Sequence, residues 1–139
     1  MLRRKFIGVC ALVLMMGSTV LPTRTTAQVS TCATKYSCNC VLYVRCKWVP
    51  SLPYGLNTLA DKKAIVNSAT PTVGSAAIMN VGAYGHVAYV TAVKKDTRGN
   101  VISITVDEAN YKSCMIGQRT GSPASMKVIG YYRPGIRKP

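Results

Sequence analysis

Three cysteines, Cys38, Cys40 and Cys46, crowd into nine residues of a chain that has one histidine, His86. Thiols so placed can pair into bridges, bind a metal, or act as nucleophiles. The run C-x5-C-x-C-x5-C, from Cys32 to Cys46, lacks the short C-x2-4-C spacing of structural zinc knuckles, and His86 is far off in sequence. No metal site is expected, and no other cofactor. Beyond residue 27 there are five cysteines, an odd number, so an oxidising compartment leaves one thiol over. Cys40 is best placed to be that thiol. Asn39 precedes it as an N-cap, and Val41, Val44 and Trp48 recur at helical spacing. A thiol in the first turn of a helix meets the positive end of the dipole, which favours the thiolate.

His86 opens an apolar run after the turn at Gly82–Gly85, and the next apolar run ends in Asp107-Glu108-Ala109-Asn110. A thiol at a helix start, an imidazole on a strand and a carboxylate or amide on the adjacent strand are the parts of a Cys-His-Glu/Asn nucleophilic site. The imidazole takes the thiol proton. The third group holds the ring's other nitrogen and fixes its tautomer.

The elements that must position these groups are legible in outline. The Cys40–Trp48 helix is expected to end before Pro50 and Pro53, and Leu56–Asn67 reads as a second short amphipathic helix. Strands are expected at Ala76–Val81, His86–Lys94, Val101–Asp107 and Met126–Arg133. The segment with Cys114, Gly117, Gly121 and Pro123 reads as a loop. In Val101–Asp107, Ile102, Ile104 and Val106 alternate with Val101, Ser103 and Thr105, the pattern of a half-buried strand. Helices followed by antiparallel strands make an α+β class.

The 139 residues suffice for one domain. Arg3, Arg4 and Lys5 precede an apolar run from Phe6 to Leu21, and Thr25-Thr26-Ala27 offers a small-residue cleavage site. Residues 1–27 are therefore expected to be a signal peptide and 28–139 a single catalytic domain, secreted or periplasmic. The apolar run is broken by Gly17, Ser18 and Thr19 and falls short of the roughly 20 residues of a bilayer span, so no stable membrane anchor is expected after cleavage. The whole chain carries +14; residues 28–139 keep 14 Lys and Arg against four acids, a net +10. Such a charge favours anionic partners. For an exported protein these are cell-wall polymers or lipid head groups, not nucleic acid. A monomer is expected.

Four segments carry a family resemblance. Cys40-Val41-Leu42-Tyr43-Val44 is similar to a nucleophile segment C-x-W-Y-V, and Pro71-Thr72-Val73-Gly74-Ser75-Ala76-Ala77 to a strand entry P-x-x-G-x-x-A. Gly85-His86-Val87-Ala88-Tyr89-Val90 and Glu108-Ala109-Asn110-Tyr111 fit G-H-V-A-x-V and E-x-N-Y. In this order they resemble the CHAP domain, the cysteine, histidine-dependent amidohydrolase/peptidase family of papain-like peptidoglycan hydrolases. The resemblance implies N-terminal helices packed on a small antiparallel sheet. It implies peptidoglycan as substrate, cut as an amidase or an endopeptidase would cut it. Cys40 would be the nucleophile, His86 the base, Glu108 the orienting residue and Asn110 an accessory group, with Glu108 and Asn110 able to exchange roles. The Cys40 N–H would face the oxyanion. Tyr43 and Tyr84, with Tyr89, would line the substrate groove.

There are departures. Leu42 stands where the family usually has Trp, no Asp-rich metal loop is present, and no second, wall-binding domain is expected. A non-catalytic wall-binding module of the same fold is one alternative, which the intact Cys40, His86 and Glu108 oppose. A toxin-like effector or non-wall amidase is another. The four remaining cysteines, 32, 38, 46 and 114, are extra to the family pattern and are expected to form two bridges. Cys38–Cys46 is disfavoured, because eight residues of helix span about 12 Å, beyond the roughly 7 Å Cα limit. Cys114 would then be tied to one of the N-terminal cysteines, with both choices open.

Overall fold

The structure, a computed structural model, describes residues 26–137. The expected signal peptide falls almost wholly outside the described residues. Helix α1, Thr26–Tyr36, was not foreseen; it packs on α2, Cys40–Lys47, and the Cys32–Cys46 bridge ties the two together. Asn39 caps α2 as expected: its backbone is extended and its side-chain oxygen accepts the Leu42 N–H at 3.0 Å.

The second helix is shorter than its apolar pattern suggested. α3 runs only from Leu59 to Ala64, because a capping box fixes its start: Thr58 Oγ1 accepts the Asp61 N–H while the Asp61 carboxylate accepts the Thr58 N–H. Leu56 is buried from the preceding loop, not from a helix.

Five antiparallel strands follow: β1 Ala76–Met79, β2 His86–Lys95, β3 Val101–Ala109, β4 Ile116–Gly121 and β5 Val128–Tyr132. Their order across the sheet is β4-β3-β2-β1-β5. β4 corrects the reading of that segment as a loop. Its residues IGQRTG include two glycines and three polar side chains, and as an edge strand it pairs only with β3, so no hydrophobic alternation marks it. In β3 the expected alternation holds for Ile104 and Val106, which are buried, whereas Ile102 is exposed; the strand runs past its expected end to Ala109, where Glu108 continues the buried face.

β1 is buried on both faces, and its alternate residues feed two cores. Ala76 and Ile78 join Tyr43, Val44, Leu52 and Val87 beneath the helices. Ala77 and Met79 join Ala88, Ile104, Val106 and Tyr131 on the other side. This is the α+β arrangement of helices against a small antiparallel sheet. Its use for the site is plain: α2 lies against β2 and β3, so the helix start meets the start of β2 and the end of β3.

Candidate active site

Cys40 is the first residue of α2 and the free cysteine among the described residues. The turn before β2 brings His86 to it. Gly85 makes that turn possible: it has φ +68, and a Cβ there would stand 2.7 Å from Leu59 Cδ1 and 3.3 Å from the Met79 carbonyl oxygen. His86 is buried, its Nε2 lies 2.9 Å from Glu108 Oε2, and its ring and the Cys40 thiol each favour the other's charged form. With Nε2 committed to Glu108, Nδ1 is the nitrogen left for the sulfur.

The electrostatics follow from these contacts. Burial pushes the Cys40 thiol up, but the hydrogen bond and charge of His86, the Val87 N–H and the Lys62 ammonium outweigh it, and the pKa is lowered. Burial pushes His86 down, but hydrogen bonds to Cys40 and Glu108 more than compensate, so the imidazolium is favoured. Burial likewise opposes the Glu108 carboxylate, and His86 and Arg119 together hold it below the usual carboxylate range. Each shift favours the charged form of its group: thiolate at Cys40, imidazolium at His86, carboxylate at Glu108.

Arg119 is the part that sequence reasoning missed. β4 pairs with β3 so that Glu108 opposes Gly117 and Val106 opposes Arg119, which puts Arg119 diagonally beside Glu108 on one face. Its Nε donates to Glu108 Oε1, and its Nη2 donates to Oε2 at 2.9 Å. The guanidinium also lies over the Tyr111 ring, 3.4 Å from the centroid, and Tyr111 meets the His86 ring edge-on at 5.6 Å. The signal for Arg119 was the strand itself: without β4 no register could place it.

Asn110 does not reach the imidazole. Its amide donates to the Cys38 carbonyl at 2.7 Å and its oxygen accepts the Cys114 N–H at 2.9 Å. It sits at φ +60, a conformation asparagine tolerates. The Cys38–Cys114 bridge closes the same junction, so the loop after β3 is fastened to the chain entering α2 both covalently and by hydrogen bonds. Both bridges agree with the expected pairing of Cys114 to an N-terminal cysteine and with a free Cys40.

The cleft over Cys40 encloses about 350 Å³ and is lined by Asn39, Lys62, Tyr84, His86 and Tyr111 among others. Tyr84 lines it and is 70% exposed. Tyr43 does not. It is fully buried; its hydroxyl donates to Asp107 Oδ1 at 3.1 Å and accepts from Lys47 Nζ at 2.8 Å. The expectation that it lines the groove is corrected, because position 43 turns toward the sheet. Tyr89 stacks on Trp48 with centroids 4.4 Å apart.

Comparison with known proteins agrees with the geometry. The CHAP domain matches residues 29–110, more than half of the chain, and the protein belongs to that family of amidase- and peptidase-type hydrolases. A Streptococcus mutans protein named "Putative hydrolase" is 38% identical over 64 residues, covering 43% of this chain and 30% of its own length. The chain thus spans under a third of that relative. No solved structure matches the chain.

Proposed function

We propose that the protein cleaves amide bonds of bacterial peptidoglycan by nucleophilic catalysis, with Cys40 as nucleophile, His86 as base and Glu108 as the group that orients the imidazole. The observation that carries this reading is the continuous line Cys40–His86–Glu108–Arg119, buried at one end of the sheet and open to a cleft at Cys40. The Cys40 thiolate attacks the amide carbonyl. The Cys40 N–H at the start of α2 donates to the oxyanion. His86 gives its proton to the leaving amine, and an acyl thioester remains on Cys40. Water, deprotonated by His86, attacks the thioester and releases the acid and the thiol. Glu108 holds the ring through Nε2 throughout. Asn110 acts at one remove, by holding the loop that carries Tyr111.

The signal peptide, export and a monomeric working form belong to the same reading. The net charge of +10 beyond residue 27 suits an anionic polymer. The test is the clearing of a suspension of purified sacculi, with mass analysis of the soluble fragments to separate amidase from endopeptidase products. Cys40→Ala and His86→Ala are expected to be inactive while folded. Full clearing by folded Cys40→Ala overturns the reading.

A further inference from the structure

Lys62 is a buried ammonium to which the reaction above gives no part beyond favouring the Cys40 thiolate. It is 2% exposed, yet it lines the cleft that holds Cys40. Its Nζ donates to the carbonyls of Leu56 at 2.8 Å and Tyr84 at 2.9 Å, which satisfies two of its three N–H groups. No carboxylate lies within ion-pair distance of it among the described residues. The cleft lining contains no Asp or Glu at all. A lysine that served only to tie two loops would do so equally well with its charge matched by an acid, or with a neutral donor in its place. Burying the charge unmatched is costly unless an anion completes it. Burial does pull the Lys62 ammonium down, against the pull of Cys40 and Asp61.

The site's own charges say which anion fits. Cys40 and Lys62 line the same cleft, and each favours the charged form of the other. Acylation makes the Cys40 sulfur neutral, and Lys62 then keeps only the lesser pull of Asp61, which lies outside the cleft lining. An anion carried by the substrate keeps the charge balanced through both stages. Resting on the proposed amide hydrolysis, we infer that Lys62 is a specificity residue that selects substrates with a free carboxylate close to the scissile amide, over the same substrates with that carboxylate amidated.

Two synthetic muramyl pentapeptides test this, one with its carboxylates free and one with them amidated. A charge-assisted hydrogen bond predicts a kcat/KM preference for the acid of about tenfold to a hundredfold, carried mainly in KM. Lys62→Gln keeps a donor for the loop carbonyls but removes the charge, and should bring the acid-to-amide ratio close to one. Lys62→Arg should retain a preference for the acid. Equal kcat/KM for the two peptides with the unaltered protein overturns the inference while leaving the hydrolase reading intact. So does a Lys62→Gln protein slower on both but with the ratio unchanged, which is the signature of a loop tie or of lost support for the Cys40 thiolate rather than of substrate selection. If the unaltered protein cuts neither peptide, the hydrolase reading fails on these substrates. Calorimetric binding of the same two peptides then decides the matter for Lys62: tighter binding of the acid, lost in Lys62→Gln, supports it, and equal binding or none refutes it.

Discussion

Replacing Arg119 by methionine removes two charge-assisted hydrogen bonds to Glu108 while keeping an apolar stem of similar reach. Glu108 is almost fully buried, so it cannot recruit bulk water in exchange. Deleting one partner of a buried ion pair costs about 3–5 kcal/mol; the Arg119 side chain is 27% exposed, which puts this case at about 3 kcal/mol. For a domain of this size that lowers Tm by about 12 °C or more. The effect on pH follows in sign. Glu108 has a folded pKa below its ordinary value, so its contribution to stability is complete above that ordinary value and is lost as pH falls through the folded one. Without Arg119 the folded value rises, and the loss begins at higher pH. The acid limb of kcat/KM should move the same way, because a protonated Glu108 no longer supports the imidazolium. If about 1.4 kcal/mol of the lost interaction is felt in the transition state, kcat/KM falls about tenfold. Arg119→Lys should be intermediate, since a point charge cannot grip both carboxylate oxygens at once. Thermal melts and pH–rate profiles on the three proteins make the comparison. An Arg119→Met protein with unchanged Tm and an unmoved acid limb refutes the reasoning.

The unaltered enzyme should give a bell-shaped pH–rate profile, rising as Cys40 ionises and falling as His86 loses its proton, with the plateau widened by the lowered thiol and raised imidazole. A flat profile would count against a Cys-His pair. Thiol titration of the oxidised protein lacking residues 1–27 should find one free thiol, and peptide mapping should place it at Cys40. Cys114→Ser opens a 76-residue loop and should cost about 4 kcal/mol, with activity falling further than stability as the Tyr111 loop loosens. Tyr43→Phe should lower stability by about 1 kcal/mol, read by urea unfolding, with KM unchanged, because its hydroxyl serves Asp107 and Lys47 and not the cleft.

The parts of the site that were legible in the sequence are those fixed locally. Cys40 follows from an N-cap and a helical period, and His86 from a glycine turn before an apolar run. Glu108 is the buried member of an alternating strand. What escaped was set by pairing. Arg119 gains its place from a register between β3 and a polar edge strand whose residues carry no β pattern of their own. Lys62 reads as half of a surface Lys-Lys pair until the Leu56 and Tyr84 loops close over it. Tyr43 was misplaced for the opposite reason. Its neighbours suggested a groove, and only the packing of α2 on β3 shows the ring turned inward. α1 has a weak apolar pattern, and its tie to α2 is a bridge whose partner the spacing alone left open.

Cys40 sits two residues from one bridge cysteine and six from another. During oxidation of the unfolded chain, any of the five thiols is a candidate to be the one omitted. A bridge from Cys40 to Cys114 closes a loop nearly the same length as the native one from Cys38, so loop entropy hardly discriminates between them. The choice must come from the fold: the α2 start has to form and the imidazole has to arrive before Cys40 is withdrawn from exchange. The thiol is acidified only by the folded site, through His86, the Val87 N–H and Lys62, so a Cys40 mispaired in an unfolded chain has no special advantage as a leaving group. Correct pairing thus depends on the site forming early, and the yield of correctly bridged protein becomes a matter of reshuffling rate.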